Sequence, residues 1–157
     1  MSQHAATLAI RIRAEMVDVA QIVERAQRLQ AKAIQQNDND YYDGVALNLH
    51  SFYTAVERIL EDIAREIDES LPSGPDWHRD LLAQLAAEFP TVRPAVLQRS
   101  SRACLNEYRG LRHVIRNVYT FNLRPTRLND LIEMLPACHH ALEQDLEAFC
   151  RFLEAIG

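Results

Sequence analysis

The sequence predicts an all-α fold, an antiparallel bundle of four to five helices, and three observations lead to this prediction. Apolar residues recur at steps of three and four over long stretches, which is the helical period. The chain has only 4 glycines and 6 prolines in 157 residues, which disfavours a turn-rich β-sandwich. Short helix-breaking segments separate the periodic stretches, as in helical bundles. The length indicates a single domain spanning residues 1–157.

Two long helices are predicted in the first half of the chain. The first covers about residues 7–34, and Asn37-Asp38-Asn39-Asp40 ends it because such side chains bond the local backbone. The second covers about residues 41–71 and carries one apolar face. Its other face, which includes Glu57, Glu61 and Asp68, is interpreted as a solvated surface with helical ion pairs.

A shorter helix and a loop are predicted next. The segment Pro72-Ser73-Gly74-Pro75 breaks the second helix, and Asp76 is placed to cap a helix over Trp77–Phe89. Pro90 and Pro94 then predict a loop with at most one helical turn.

The last two helices follow this loop. The fourth helix is expected to begin near Ser100 or Ser101. It is expected to end before Pro125, because the residue before a proline disfavours α geometry. Thr126 is expected to cap the fifth helix, and Pro136 is expected to kink it.

The charge, the cysteines and the hydropathy of the chain argue against several classes of function. The net charge of -5 argues against the broad basic face of a constitutive nucleic-acid binder, although all but one of the 17 basic residues are arginines, which suit phosphate recognition. Cys104, Cys138 and Cys150 show neither disulfide nor zinc-site spacing, so we expect them to fill the core.

No apolar run is long enough to span a bilayer and no signal peptide is evident, so a cytoplasmic protein with no membrane association is expected.

The fourth helix carries a polar constellation. Arg109, Arg112, His113 and Arg116 are spaced by three and four and so share one face, and Asn117 follows. The plain interpretation is a solvated basic stripe that pairs with the acidic surface of the second helix. The chemical interpretation is that His113 acts as a general base, because an imidazole takes and gives protons at neutral pH. The sequence has no Gly-rich phosphate loop, no HExxH and no GxSxG, and no metal or cofactor is expected.

This constellation resembles a known motif. The stretch Leu111-Arg112-His113-Val114-Ile115-Arg116-Asn117-Val118-Tyr119 is similar to the signature helix of HEPN-fold proteins of the HepT-like group. The resemblance extends to residues 50–58 and 72–79 and covers about residues 8–155. The family's motif is Arg, a polar residue, three further residues and His, often followed by one residue and Tyr.

The resemblance implies a dimerising antiparallel bundle that works as a metal-independent endoribonuclease. In this family two motifs converge in one cleft of the homodimer, and the protein is the toxin of a type VII-like toxin–antitoxin pair with a minimal nucleotidyltransferase. Arg112, His113 and Asn117 then correspond to catalytic positions, and the neighbouring Arg109 and Arg116 are candidates for RNA phosphate contacts. Tyr119 corresponds to the tyrosine that the antitoxin adenylylates, and tRNA and mRNA are candidate substrates.

Asn117 departs from the motif, which has histidine there. An amide cannot accept a proton at neutral pH, so catalysis is expected to be weakened or silenced. Three explanations are open: His113 supplies the imidazole, the protein is a natural member that does not cleave, or the asparagine was introduced to allow production of a toxic protein.

Three functions follow from these alternatives. The first is the ribonuclease toxin, and the second is a non-catalytic HEPN module that binds RNA or a protein partner. The third is an unrelated helical interaction protein, which would be supported if the arginines of the fourth helix faced acidic side chains of their own subunit. For Tyr119, a core-edge packing role is the alternative to a modification site.

Overall fold

The computed structural model describes the backbone of residues 2–117 and 124–157 and the side chains of residues 3–111 and 124–157. Five α-helices are present in these ranges: α1 Ser2–Gln36, α2 Tyr41–Ile63, α3 Trp77–Ala86, α4 Arg99–Asn117 and α5 Pro125–Ile156. The π-helical turn Ala64–Asp68 continues directly from α2. The predicted all-α fold is therefore confirmed.

The four long helices form an antiparallel bundle, and α3 is the shorter inserted helix. Near its beginning, α2 meets the beginning of α5, where the Tyr42 hydroxyl donates to Asn129 Oδ1 at 3.1 Å. Helix α4 is antiparallel to α5. The hydroxyl of Tyr108 on α4 donates to the Leu131 carbonyl at 2.6 Å, whereas Cys104, one turn earlier on α4, lies against Cys138, which comes later on α5. The C-terminal end of α4 therefore lies at the same end of the bundle as the start of α2 and the start of α5.

One continuous apolar core lies between the helices. The helical spacing of leucines, isoleucines and valines read from the sequence brings these side chains to one face of each helix, and burial of these faces is the main stabilising contribution. The bulkiest fully buried side chains are Tyr53, Tyr108, Phe52, Leu8, Ile12, Leu49, Ile59, Leu60, Ile63, Leu81, Leu82 and Leu85. In the part of the chain described, no helix is long and apolar enough to cross a membrane.

The end of α2 differs from the prediction of a helix to about residue 71. Regular α geometry ends at Ile63, the π-helical turn follows, and Glu69 ends it in the left-handed conformation with φ 54°. Asp68, which was predicted on a solvated face, has a fully buried side chain paired with Arg93. The physical reason is that this long-range ion pair outweighs the local helical preference, and it can form only if the chain turns Asp68 inward.

Arg93 holds α3 and the following loop against the end of α2. Its guanidinium binds both carboxylate oxygens of Asp68, at 2.6 and 2.7 Å, and the carbonyl oxygens of Ala87, Pro94 and Gln84. These contacts explain why the loop of residues 87–98 is ordered without being helical. They also explain why α3 ends at residue 86 and not at 89.

The start of α5 also differs from the prediction that Thr126 caps it. Pro125 occupies the first turn, where its missing N–H is not needed, and the N-cap residue is Arg124. Pro136 lies inside a continuous helix that ends at Ile156.

Candidate functional site

The first part of α4 is anchored firmly in the bundle. Leu105, Tyr108 and Leu111 are buried, and the Tyr108 ring meets the Phe52 ring of α2 edge-on at 5.2 Å between centroids. Burial raises the pKa of the Tyr108 phenol above its ordinary value, so this hydroxyl remains protonated and acts as a donor to the Leu131 carbonyl. The core of the bundle therefore holds the first part of the helix that carries the predicted motif.

The predicted site residues fall into two groups. Arg109 is described, is partly exposed, and donates from Nε to Asn106 Oδ1 at 3.1 Å. Arg112, His113, Arg116 and Asn117 lie on the described helical backbone of α4, but their side chains lie outside the described residues. All of Tyr119 lies outside them as well.

The backbone of α4 places the motif positions relative to the anchor. Position 112 follows Tyr108 by four residues and Leu105 by seven, so it continues the side of the helix on which these two residues lie. Position 116 is one turn further along the same side, and position 109 lies beside it. The helix thus aligns three arginine positions at its C-terminal end.

Only Arg109 of the predicted basic stripe has a described side chain, so the pairing of this stripe with the acidic surface of α2 stays a prediction. Asp62 and Glu66 of that surface pair with Arg11 of α1, and Asp62 also accepts from Arg65. Arg109 donates to the side-chain amide of Asn106, three residues earlier on the same helix. Two acidic residues of this surface, Asp62 and Glu66, are therefore paired with arginines outside α4.

A second polar centre joins α2 to α3 and was missed in the sequence. The Glu57 carboxylate, predicted on a solvated face, is 5% exposed and lies 2.6 Å from Nδ1 of His78. The ring of Trp77 packs on the imidazole at 3.6 Å between centroids. A buried carboxylate at Nδ1 fixes the orientation and tautomer of an imidazole. Glu57 and His78 are 21 residues apart, and no local pattern links them.

The pKa of Glu61, one turn beyond Glu57, is affected by burial and by the Glu57 carboxylate. Burial raises the pKa of the Glu61 carboxyl, and the neighbouring negative charge of Glu57 raises it further. The ionised form of Glu61 is therefore disfavoured in the folded protein relative to an exposed glutamate.

Cysteine pairing is a further feature that the sequence did not reveal. Cys104 of α4 and Cys138 of α5 form a disulfide with a Cα–Cα distance of 5.9 Å, which corrects the expectation that all three cysteines only fill the core. Cys150 is free and buried, and burial raises the pKa of its thiol to about 11. The antiparallel packing of α4 on α5 brings Cys104 and Cys138 together across 34 residues of sequence.

A groove of about 780 Å³ lies elsewhere, between α1 and α5. Ile12, Met16 and Leu146 contribute apolar lining, and Arg13 and Glu147, which also line the groove, form an ion pair at 2.9 Å. In the ranges that the structure describes, no three histidine, cysteine, aspartate or glutamate side chains are grouped so that they could hold a metal ion.

Comparison with known proteins adds a family assignment to this geometry. A family model described as HepT-like protein matches residues 44–153, which run from the first turn of α2 through nearly all of α5 and make up well over half of the chain. No curated protein and no solved structure matched the chain.

Proposed function

Because the chain belongs to the HepT-like family, we propose that it is an HEPN-type endoribonuclease toxin with catalysis weakened or silenced by Asn117. The observation that carries the proposal is the family match over α4, which contains Arg112 and the residues around it. The proposed partners are a second copy of the chain, an RNA substrate and a minimal nucleotidyltransferase antitoxin.

The reaction would be attack of a ribose 2′-hydroxyl on the adjacent phosphate. This reaction needs a base for the hydroxyl, an acid for the leaving oxygen and a cation for the charge that develops on the phosphorus oxygens. We assign the cation to Arg112 and the flanking phosphate contacts to Arg109 and Arg116. The geometry of Arg109 supports this assignment, because Asn106 holds only its Nε and the described residues give its Nη atoms no hydrogen-bond partner.

The burial of the first part of α4 also supports the assignment of Arg112 as the cation. Positioning of charged groups contributes strongly to phosphoryl chemistry only when the scaffold that carries them is rigid. Leu111, immediately before Arg112, is buried, and Tyr108, one turn before Arg112, is buried and contacts both α2 and α5. The helix backbone that carries the proposed cation, Arg112, is therefore held in place where it leaves the bundle core.

Asn117 favours a second candidate, a non-catalytic HEPN module that binds RNA or a protein partner. The amide of asparagine can position groups by hydrogen bonding but cannot take a proton from the 2′-hydroxyl. His113 is the residue nearest in sequence that could supply an imidazole to the site. The two candidates share the fold and the arginines and differ only in turnover.

RNA cleavage in EDTA separates the two candidates. Cleavage of total tRNA and of an mRNA is compared for the unsubstituted chain, for Asn117→His, and for Asn117→His combined with Arg112→Ala. We expect Asn117→His to raise cleavage about a hundredfold to ten-thousandfold, the range of a general acid–base contribution, and Arg112→Ala to abolish that gain. Arg102→Ala is the matched control, because Arg102 is exposed on the same helix two turns before Arg109. Absence of cleavage by every variant, together with RNA binding that depends on Arg112, would instead support the binding module.

Modification of Tyr119 is tested separately. The chain is incubated with ATP and a minimal nucleotidyltransferase, and addition of one AMP group is read by intact mass. We expect Tyr119→Phe to remove the modification and Tyr41→Phe to leave it, since Tyr41 offers a partly exposed hydroxyl elsewhere, which donates to Gln36 Oε1. Modification that persists in Tyr119→Phe would contradict the assignment.

The proposed homodimer is tested by light scattering during size-exclusion chromatography. A two-fold dimer that brings two α4 helices together would have twice the monomer mass. A monomer at concentrations where RNA is cleaved would contradict the shared cleft.

A further inference from the structure

The disulfide occupies a particular place relative to the proposed site. Cys104 lies near the start of α4 and Cys138 near the middle of α5, so the bond closes a loop that contains residues 105–137. Every position that the proposed function assigns to catalysis, RNA binding or modification lies inside this loop. The α4–α5 hairpin, which we define as residues 104–117 of α4 and 125–138 of α5, is thus closed at its base by one covalent bond.

In the described part of the α4–α5 hairpin, two other side-chain hydrogen bonds link the arms. The Tyr108 hydroxyl donates to the Leu131 carbonyl at 2.6 Å, and Arg127 Nη2 donates to Glu107 Oε2 at 2.8 Å. The Arg127 and Glu107 side chains are each about half exposed, so water screens this ion pair. Without the disulfide, the described hairpin arms are joined mainly by apolar packing and one buried hydrogen bond.

A proline weakens α5 next to the disulfide. Pro136 has no backbone N–H to donate to the carbonyl of Ile132, one turn earlier, and its ring crowds that carbonyl. Residues 125–135 are therefore connected to the rest of α5 through an incomplete helical turn. Cys138 lies on the far side of this turn, so the disulfide ties α4 to the part of α5 that remains fully hydrogen-bonded.

We propose that the Cys104–Cys138 disulfide is a redox clasp for the α4–α5 hairpin, and that reduction by a dithiol loosens the hairpin and lowers RNA cleavage by it. The part concerning RNA rests on the proposed function. Cys104 is partly exposed whereas Cys138 is 2% exposed, so a reductant reaches the Cys104 sulfur first. Cys150 is fully buried near the Ala9 carbonyl of α1, and it is 12 residues from Cys138, or about 18 Å along α5, so it is not placed to exchange with the pair.

The chemical step is thiol–disulfide exchange. A thiolate of the dithiol attacks Cys104 Sγ, the S–S bond breaks, and Cys138 leaves as a thiolate that takes a proton from water. The second thiolate of the reductant then attacks the mixed disulfide and releases Cys104, which is protonated in turn. Two electrons pass to the protein, and the dithiol becomes a disulfide.

Hydrogen exchange tests the clasp itself. Amide exchange is compared between the air-oxidised chain and the same chain in excess dithiothreitol, after alkylation in denaturant has counted one free cysteine in the first sample and three in the second. We expect exchange in residues 105–117 and 125–135 to rise by about tenfold or more on reduction, since local opening sets the rate, while residues 45–60 of α2 change little. Cys104→Ser should show the fast exchange in both samples, and Cys150→Ser should keep the response. Three free cysteines before reduction, or equal exchange in both samples, would overturn the proposal.

RNA cleavage tests the consequence. In the Asn117→His background we expect reduction to lower the cleavage rate by about tenfold or more, because small displacements of a positioned cation are costly to the reaction. Cleavage that is unchanged while exchange rises would overturn the regulatory part of the proposal. If neither form cleaves or binds RNA while exchange still rises, the proposed function fails and the clasp stands.

Discussion

Replacing Arg93 with methionine removes the charge that pairs with Asp68 and keeps a side chain of similar length. Both side chains of this pair are fully buried, so the substitution leaves an unpaired carboxylate and frees the carbonyls of Ala87, Pro94 and Gln84. Breaking a buried pair from one side costs about 3–5 kcal/mol. We expect the lower part of this range, because Gln84 Nε2 still donates to Asp68 Oδ2 at 2.9 Å. Such a loss is a large fraction of the 5–15 kcal/mol typical of a domain, as an order of magnitude.

Urea unfolding followed by the fluorescence of Trp77, the single tryptophan, measures the loss. The double variant with Asp68→Asn should lose at least about 1 kcal/mol less than the sum of the two single variants, since it leaves no buried charge. Arg102→Met, an exposed substitution, should change the free energy of unfolding by less than about 0.5 kcal/mol. A loss below about 1 kcal/mol in Arg93→Met, or additive effects in the double variant, would refute the reasoning.

Three further expectations concern other features of the fold. The pKa of Glu61 is raised by burial and by Glu57, so its ionised form destabilises the folded state at neutral pH, and this penalty disappears as pH falls through the raised pKa. Glu61→Gln should therefore raise the melting temperature at pH 7, and the gain should shrink toward pH 4; an equal gain at both values would contradict this. Tyr108→Phe removes the hydrogen bond to Leu131 and should cost about 1 kcal/mol in urea unfolding, whereas an unchanged midpoint would show that this bond contributes no net stability. Gly74→Ala meets no atom within 4 Å but must adopt φ 97°, so it should cost about 1–2 kcal/mol from backbone strain alone, and a neutral result would indicate that the turn relaxes.

Helix positions could be predicted well because their causes are local. The apolar spacing of α1 and α5 depends only on residues three and four apart, and breakers such as Pro72-Ser73-Gly74-Pro75 act on their immediate neighbours. The end of α2 could not be predicted, because the turn that buries Asp68 depends on Arg93, 25 residues later. Local propensity favours a longer helix there, and the tertiary contact overrides it.

For the candidate site, too, the local features could be predicted from the sequence and the remaining features could not. The order of Arg109, Arg112, His113, Arg116 and Asn117 on one helix follows from the sequence and the helical period, and it led to the HepT-like family that the family match confirms. Their chemical roles and the homodimer stay predictions.

The sequence by itself determined the class of fold, the family and the helix that carries the motif, because all three are written in short-range patterns. Only the tertiary structure decided which distant residues meet. Glu57 with His78, Asp68 with Arg93, and Cys104 with Cys138 are separated by 21, 25 and 34 residues, respectively. Their meeting depends on the packing and relative direction of whole helices, a property that helical periodicity, which repeats every few residues, does not encode.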